Sequence, residues 1–468
     1  MNFKFKNKSG ITLIALIITI IVMLILVGVV VTVVIQSNLL GTAKTAGDKY
    51  KTAYEDESNM SEVTINGEKY ASIEDYLEGK VKLPEIKAGE RAETNSNYKG
   101  VTIPKGFTVS KIPEETTIDG GLVIYDIPKE DIENAGEDFW TKTTTVGTEN
   151  YPTVQCDYNQ FVWVPVETPY VTKAELNKIM SDSNGSITTE KAALQSLVDS
   201  GKYPMAVELA NGTDYRGVLY EFSAGTNKVN IKVMDFSTEA NYDAGSVTYH
   251  REPAKLSSTN SNEVNQTEEQ NLDLQTEYNK IVKSVKAQNG FWVARYELSY
   301  NTKGESKRGK TVANPGDSAT YKWYGLYNAC KTVSIANNKN EMQSSMIYGS
   351  QWDQIMIWMK EVKNTEDNSK YYILDSSYMG NYSTSSGGTG EKQVSGYKNA
   401  YGVKQIFDLG GNLRDWTTEA SSTGSRVLRG GYCSEDGFYD PASDRFVYCG
   451  PEVTGSYASA RVALYVSL

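Results

Sequence analysis

Cysteine and histidine are the side chains of this sequence best suited to metal or nucleophilic chemistry, and both are scarce. The four cysteines (Cys156, Cys330, Cys433 and Cys449) form no CxxC pair and no zinc-type spacing, which argues against a metal clip. The single histidine, His250, cannot build a histidine-rich iron site, and serine-type catalysis would have to use this same residue. Outside the cell, Cys433 and Cys449 are candidates for a disulfide, although free thiols fit their spacing equally well.

Recognition chemistry is indicated instead near the C-terminal end, where aromatic and small polar residues mix without a clear period. Tyrosine gives a large contact area at low entropic cost, and serine and aspartate adapt their hydrogen bonds. The chain has 32 tyrosines, which favours a tyrosine-rich exposed face. The alternative is a set of ordinary loops packed by their aromatic residues. The predicted ligand-binding residues are Tyr432, Ser434, Asp436, Phe438, Tyr439, Asp440, Asp444, Phe446, Tyr448 and Tyr457.

The element that would position this region relative to a membrane lies at the other end of the chain. Ile11 to Ala43 carries no charged residue and follows a leader that contains Lys4, Lys6 and Lys8. The aliphatic run 11–35 would form a helix of roughly 37 Å, enough to span a hydrocarbon core of about 30 Å. Positive charge on the leader keeps it on the cytoplasmic side. We predict a single-pass protein of the cell membrane with an extracellular C-terminal domain.

The leader KNKSG and the apolar run after it resemble the prepilin signal of type IV pilins and pseudopilins. The resemblance implies cleavage between Gly10 and Ile11, with residues 11–58 retained as a transmembrane and pilin-like helix. Ala15 stands where the family carries a glutamate that pairs with the amino terminus of a neighbouring subunit. Its absence favours a minor or pilus-tip position among other pilins or pseudopilins, or a membrane-held monomer. A plain signal anchor is the alternative.

The amino-acid composition indicates that the rest of the chain forms a globular domain. The whole chain has 468 residues, 39% of them hydrophobic, and a formal net charge of −11. An acidic chain is a poor binder of nucleic acid, because duplex binding depends on clustered Lys and Arg that displace counterions from phosphate. We therefore expect no nucleic-acid partner.

Patterns along the chain predict its organisation. Residues 59–100 look like a connector, with a hairpin turn at Asn66–Gly67 and a short helix at Ser72–Glu78. The run Phe161–Val166 is apolar on both faces, which is typical of a central strand. Trp352, Ile355, Met356 and Met359 form a helical stripe that would pack on that sheet. Residues 167–288 look like an insert, with a hairpin within 215–236.

Several segments together resemble the formylglycine-generating-enzyme, or sulfatase-modifying, domain, which is a variant of the C-type lectin fold. The resemblance spans residues 101–468 and implies an α+β domain. The segments that carry it are FVWVPV (161–166), GFWVARYELS (290–299), YGSQWDQIMIWM (348–359), FDLGGNLRDWT (407–417), RVLRGG (426–431) and SARVALYV (459–466).

The chemistry of that family is not kept here. Its oxidases use a close cysteine pair behind the RGG segment, whereas Cys433 and Cys449 are sixteen positions apart, and its iron branch needs several histidines. We therefore predict no enzymatic activity and no cofactor. In the family the GN turn lies near a calcium position, so Asn412 and Asp415 are weak candidates for calcium ligation.

These inferences favour a membrane-anchored, pilin-like surface protein that displays a non-catalytic lectin-like domain for adhesion to an extracellular glycan or protein. The C-terminal segment also occupies the position of the hypervariable tail in proteins diversified by retroelements, which use the same lectin-like fold. Two alternatives remain. One is an oxidase with a rearranged site at Cys433 and Cys449, and the other is a purely structural minor pilin or pseudopilin.

Overall fold

The computed structural model describes most of the chain from residue 83 onward and short strand segments before it. The described ranges are 63–65, 68–70, 83–166, 170–189, 192–193, 196, 208–210, 214–216, 218–223, 228–233, 241–244, 247–250, 255–256 and 264–466, the last with gaps at 301–302, 317, 319–320, 334–341, 384–387, 422–423, 447–449 and 453. The chain divides into two compact units, Met1–Pro84 and Glu85–Leu468.

In the first unit, the described residues form one antiparallel hairpin of β1 (Val63–Ile65) and β2 (Glu68–Tyr70), with Ile65 opposite Glu68. This pairing confirms the hairpin predicted at Asn66–Gly67. The predicted helix at 72–78, the leader and the pilin-like helix 11–58 lie outside the described residues. Within the described residues, no helix has both the length and the apolar character needed to cross a membrane.

The second unit contains a six-stranded antiparallel sheet with a hydrophobic core on each face. Its strands, in spatial order, are β20 (Met342–Met346), β27 (Val462–Val466), β17 (Gly290–Ala294), β9 (Gln160–Pro165), β6 (Val123–Tyr125) and β5 (Thr108–Val109). In β9, Phe161 and Trp163 belong to one core, and Val162 and Val164 belong to the other. The alternation confirms the prediction of a central strand that is covered on both faces.

A second, mixed sheet follows the strand order β15 (Asn241–Ala244), β16 (Val247–His250), β23 (Arg414–Ser421), β24 (Arg426–Arg429) and β25 (Arg445–Phe446). A further strand, β26 (Ala458–Ala460), pairs with β23 in parallel. Trp416 and Leu428 of this sheet lie in the same core as Phe161 and Trp163 of the first sheet. The two sheets therefore share one apolar interior.

The described helices number seven and are short, apart from one. They are α1 (Lys129–Glu133), α2 (Val154–Asp157), α3 (Lys173–Asp182), α4 (Gln266–Asn271), α5 (Leu274–Gln288), α6 (Trp323–Lys331) and α7 (Gly349–Trp358), with 3-10 turns at Pro113–Glu115 and Asn399–Tyr401. Trp352, Ile355 and Met356 of α7, together with Met359, pack in the same core as Val162 and Val164, which confirms the predicted stripe.

The remaining strands form small hairpins and one three-stranded sheet. They are β3 (Ser96–Tyr98), β4 (Val101–Ile103), β7 (Thr143–Val146), β8 (Glu149–Pro152), β10 (Tyr170–Thr172), β11 (Glu208–Ala210), β12 (Asp214–Arg216), β13 (Val218–Ser223), β14 (Lys228–Val233), β18 (Ser299–Tyr300), β19 (Gly304–Glu305), β21 (Gly402–Val403) and β22 (Ile406–Phe407). The β13–β14 pair is the hairpin predicted within 215–236.

The start of the compact unit and the position of α5 differ from the predicted division of the chain. The unit starts at Glu85, earlier than the predicted Val101, because β3 pairs with β4 and Ala92 lies in the core. Helix α5 falls inside the range predicted as an insert, yet its Tyr278, Ile281 and Val285 are buried against the first sheet. Its apolar stripe places it in the framework. The mixed helices and sheets agree with the predicted α+β class.

Candidate ligand-binding surface

A buried ionic network fixes the base of the C-terminal segment. Arg429 Nη1 lies 3.1 Å from Asp353 Oδ1 and 2.9 Å from Glu419 Oε1, while Arg445 Nε lies 3.0 Å from Glu419 Oε2. Arg445 Nη2 also donates to Asp353 Oδ1 at 2.5 Å. Two cations thus balance two carboxylates away from water, and removing one partner would leave a buried charge uncompensated.

Backbone contacts hold the same segment against α7 and its neighbours. Trp352 Nε1 donates to the Ala442 carbonyl at 2.9 Å, and Arg429 Nε donates to the Asp444 carbonyl at 2.9 Å. The Ser376 N–H donates to the Gly437 carbonyl at 2.9 Å. These bonds satisfy carbonyls of a stretch that has little regular secondary structure, so they restrict its conformation.

Above this base, Arg414 gathers four of the predicted residues. Its Nη2 donates to Asp440 Oδ1 at 2.8 Å, and its guanidinium carbon lies 4.3 Å from the ring centre of Phe446 and 5.9 Å from that of Tyr432. Tyr457 meets Tyr432 edge-on, with ring centres 6.0 Å apart. All three aromatic residues are partly exposed. Arg414 is the first residue of β23, where it lies opposite Ala458 of β26.

A tight turn carries a second group of predicted residues. The Phe438 N–H donates to Asp436 Oδ1 at 2.8 Å, and the Tyr439 N–H donates to the Asp436 carbonyl at 3.1 Å. The rings of Phe438 and Tyr439 meet edge-on at 5.1 Å, and Tyr439 is 54% exposed. Ser434, before the turn, is exposed and accepts at its carbonyl from Ser383 Oγ. Asp436 thus shapes the turn that presents Tyr439 to solvent.

One acid of this surface titrates near neutral pH. Burial raises the pKa of Asp444 to about 7, the negative charge of Asp440 raises it further, and Arg414 and Arg429 oppose the shift. Repulsion between Asp440 and Asp444 makes the charge of this surface pH-dependent.

The structure therefore brings together most, but not all, of the predicted binding residues. Tyr432, Asp440, Phe446 and Tyr457 surround Arg414, and Asp436, Phe438 and Tyr439 share one turn. Tyr448 lies outside the described residues. Sequence reasoning missed Arg414, although it stands in the segment LRDWT, because nothing local shows that a guanidinium in a strand will meet aromatic rings from two later loops.

Of the two alternatives left open for Cys433, a disulfide or a free thiol, the structure has the free thiol, and the side chain is buried. Cys449 lies outside the described residues. Burial raises the pKa of Cys433 to about 11, and the charge of Glu297 adds to the shift. The Cys433 backbone N–H donates to the Asn412 carbonyl, and this bond connects Cys433 with the turn between β22 and β23.

The weak calcium candidates, Asn412 and Asp415, both bond to other side chains of the domain. Asn412 Oδ1 accepts from the Gln393 N–H at 2.8 Å and from Asn381 Nδ2 at 3.3 Å, and Asn412 Nδ2 donates to Glu297. Asp415 Oδ2 accepts from Arg461 Nε at 2.8 Å. Both side chains serve as internal connections of the framework. Among the described residues, no group of three or more His, Cys, Asp or Glu side chains is placed to hold a metal ion.

A group of buried acids surrounds Arg461 in this region. Burial raises the pKa of Glu297 well above its usual value, and the charges of Asp408 and Asp415 raise it further. Burial also raises the pKa of Asp408 to about 6, although Arg461 and Arg308 oppose the shift. Arg461 and Arg308 do not fully offset the cost of burying three carboxylates, those of Glu297, Asp408 and Asp415. The protonated form of these acids is therefore favoured.

The predicted cleavage site at Gly10 and Ile11 lies outside the described residues. No protein-family model matches the chain, and no curated protein matches it. Among solved structures, the chain is similar to Treponema denticola variable protein 1, with 14% identity. The match covers 48% of this chain and 98% of that one, with a TM-score of 0.26. A similarity this low does not establish the fold.

Proposed function

We propose that this chain is a membrane-anchored, pilin-like surface protein whose C-terminal domain binds an extracellular ligand, a glycan or a protein, without catalysing a reaction. The observation that supports this most is the partly exposed aromatic surface around Arg414 and Tyr439. Its base is fixed by the buried network of Arg429, Arg445, Asp353 and Glu419. A surface held rigid before contact loses less conformational entropy on binding.

The chemistry of Cys433 supports binding over an oxidase with a rearranged cysteine site. Cysteine reacts as the thiolate, and reactive cysteines have lowered pKa values in partly exposed, electropositive surroundings. Cys433 is buried, and burial raises its pKa to about 11. Its thiol therefore stays protonated at neutral pH, which suits a packed core residue.

The lectin-like, degenerate sulfatase-modifying character of the domain belongs to the same proposal, as does a hypervariable C-terminal segment. Both rest on the sequence segments that carry the resemblance. The layout fits variation, because the exposed side chains lie on loops while the buried network lies on strands and α7. Substitution at Tyr439 changes the surface, whereas substitution at Arg429 changes the framework.

The experiment measures binding of the full-length chain to a glycan array and to cells, with Tyr439→Ser as the test variant. We expect a loss of about 1 to 2 kcal/mol in binding, or about 5- to 30-fold, with unchanged folding because the residue is exposed. Tyr158→Ser is the control at a distant tyrosine, whose side chain contacts Asp131 and Phe139 and packs against the core that contains Val162. Because Tyr158 is partly buried, circular dichroism must first show that this variant is folded. Equal losses in both variants, or no binding by the wild type, would contradict the proposal.

The structural minor-pilin alternative predicts a different pattern. A protein that only primes or caps a filament would give blank binding assays, and deletion of its gene would abolish filaments. The oxidase alternative predicts copper-dependent oxygen consumption with a thiol peptide. These two measurements separate the three functions without knowledge of the ligand.

A further inference from the structure

The turn at Asp436–Asp440 presents an aromatic ring that the protein itself does not cover. Among the described residues, Tyr439 is the one large apolar or aromatic side chain that is mainly exposed, at 54%. Its neighbour Phe438 covers one edge of the ring. Single exposed apolar residues are normal on protein surfaces, so the environment of the ring must decide what it is suited to bind.

The segment that carries the ring has negatively charged side chains of its own. Residues 434–444 contain four carboxylates and no Lys or Arg. Asp440 is neutralised by Arg414, whereas Glu435 and Asp436 form no ion pair with any described residue. Glu435 is exposed and Asp436 is partly exposed, and they stand four and three positions before Tyr439 in the same turn. Two uncompensated carboxylates therefore accompany the exposed ring.

The ring of Phe438, next to Tyr439, already contacts a cation of the protein itself. Lys370 Nζ lies over the ring of Phe438, 5.6 Å from its centre, and is 2.7 Å from Asp375 Oδ2. The ammonium thus contacts an aromatic face and a carboxylate together. Tyr439 has no such cation among its described contacts. An electron-rich ring in the same turn as carboxylates that form no described ion pair is complementary to a lysine or arginine side chain.

We propose that the ligand of this surface is a protein that presents a lysine or arginine side chain, whose cation lies on the Tyr439 ring and pairs with Glu435 and Asp436. The inference rests on the proposed function and commits it to one class of ligand. The formal net charge of −11 favours the same partner, because an acidic chain attracts a basic surface before contact. A neutral glycan would gain nothing from this charge.

The test measures binding of the full-length chain to a surface-bound peptide that alternates lysine and serine. The matched probe carries acetyl-lysine in place of lysine. We expect the acetylated peptide to lose binding, and the double variant Glu435→Gln, Asp436→Asn to bind about tenfold more weakly in about 50 mM NaCl than the wild type. The difference should shrink in about 500 mM NaCl, where charges are screened within about 4 Å.

Two controls keep the result interpretable. Asn at position 436 retains an oxygen for the Phe438 N–H, so the turn should persist, and circular dichroism should confirm it. Glu137→Gln removes an exposed carboxylate that no described contact connects with residues 434–440, and should bind as the wild type does. Tyr439→Phe should keep most of the binding that Tyr439→Ser loses.

Equal binding of the lysine and acetyl-lysine peptides would overturn the inference. So would binding to neutral glycans that depends on Tyr439 but is unaffected at positions 435 and 436, although that result would leave the proposed function standing. If the chain binds neither peptides, glycans nor cell surfaces, the proposed function and the inference fail together.

Discussion

Trp416 links the two sheets of the larger unit, and its replacement by alanine should destabilise the fold severely. The side chain is 1% exposed and lies in the core that contains Trp163 and Leu428. Burying about 200 Å² of indole at about 25 cal/mol per Å² gives roughly 5 kcal/mol.

One feature of the site reduces this figure. Trp416 Nε1 is buried without a hydrogen-bond partner, so removing the indole also removes an unsatisfied donor that costs about 1 to 3 kcal/mol. The net loss for Trp416→Ala should therefore be about 2 to 4 kcal/mol, which overlaps the range of about 3 to 5 kcal/mol typical of tryptophan-to-alanine changes. Trp416→Phe keeps most of the apolar area and lacks the donor, so it should lose clearly less.

Urea unfolding of the full-length chain, followed by circular dichroism, measures both variants against the wild type. The decisive quantity is the order of the midpoints: wild type highest, Trp416→Phe intermediate and Trp416→Ala lowest. An unchanged midpoint for Trp416→Ala would show that the residue is not core. A midpoint for Trp416→Phe as low as that for Trp416→Ala would show that the indole nitrogen is bonded after all.

Three further predictions concern other parts of the molecule. Processing should remove residues 1–10, so intact-mass measurement of membrane-extracted protein should find Ile11 at the amino terminus; a species that keeps Met1 would contradict the prepilin reading. Arg429→Met should destabilise the fold by about 3 to 5 kcal/mol, because Asp353 and Glu419 lose a buried cation, and unfolding curves that match the wild type would refute this. Burial raises the folded-state pKa of Asp408 to about 6, above its unfolded value, so its contribution to stability is present at low pH and lost as pH rises from about 4 to 6. Asp408→Asn should abolish that part of the pH dependence, on the order of 1 to 3 kcal/mol. Asparagine should fit this position, because it tolerates the left-handed backbone of residue 408 (φ 56°). Thermal melts of the variant that keep the wild-type pH dependence would refute the assignment.

Short-range patterns in the sequence predicted the elements that depend on neighbouring residues. The alternation of Phe161 to Val164 is a local property, and so is the stripe from Trp352 to Met359. Both are confirmed, as are the hairpins β1–β2 and β13–β14. In each case hydrophobic period or turn chemistry is sufficient to define the element.

Long-range pairing explains what the sequence did not predict. Arg414 becomes the centre of the candidate surface because it meets Tyr432, Phe446 and Tyr457, which come from three separate later segments. No local sequence pattern encodes that meeting. Helix α5 looked like part of an insert because the segments before it are polar, while its buried face is defined only by contact with the sheet. The polar roles of Asn412 and Asp415 likewise depend on distant partners, Glu297 and Arg461.

The position of β27 has a consequence for how the domain reaches its native state. This strand, the last in chain order, lies between β20 and β17, which precede it by more than a hundred residues. Until β27 is inserted, β17 and β20 both present open edges, and the first sheet exists as two separate parts. Such late, non-local closure slows folding and exposes strand edges that can pair with other chains. If the domain crosses a membrane with its amino end leading, it cannot close until Val462–Val466 has emerged.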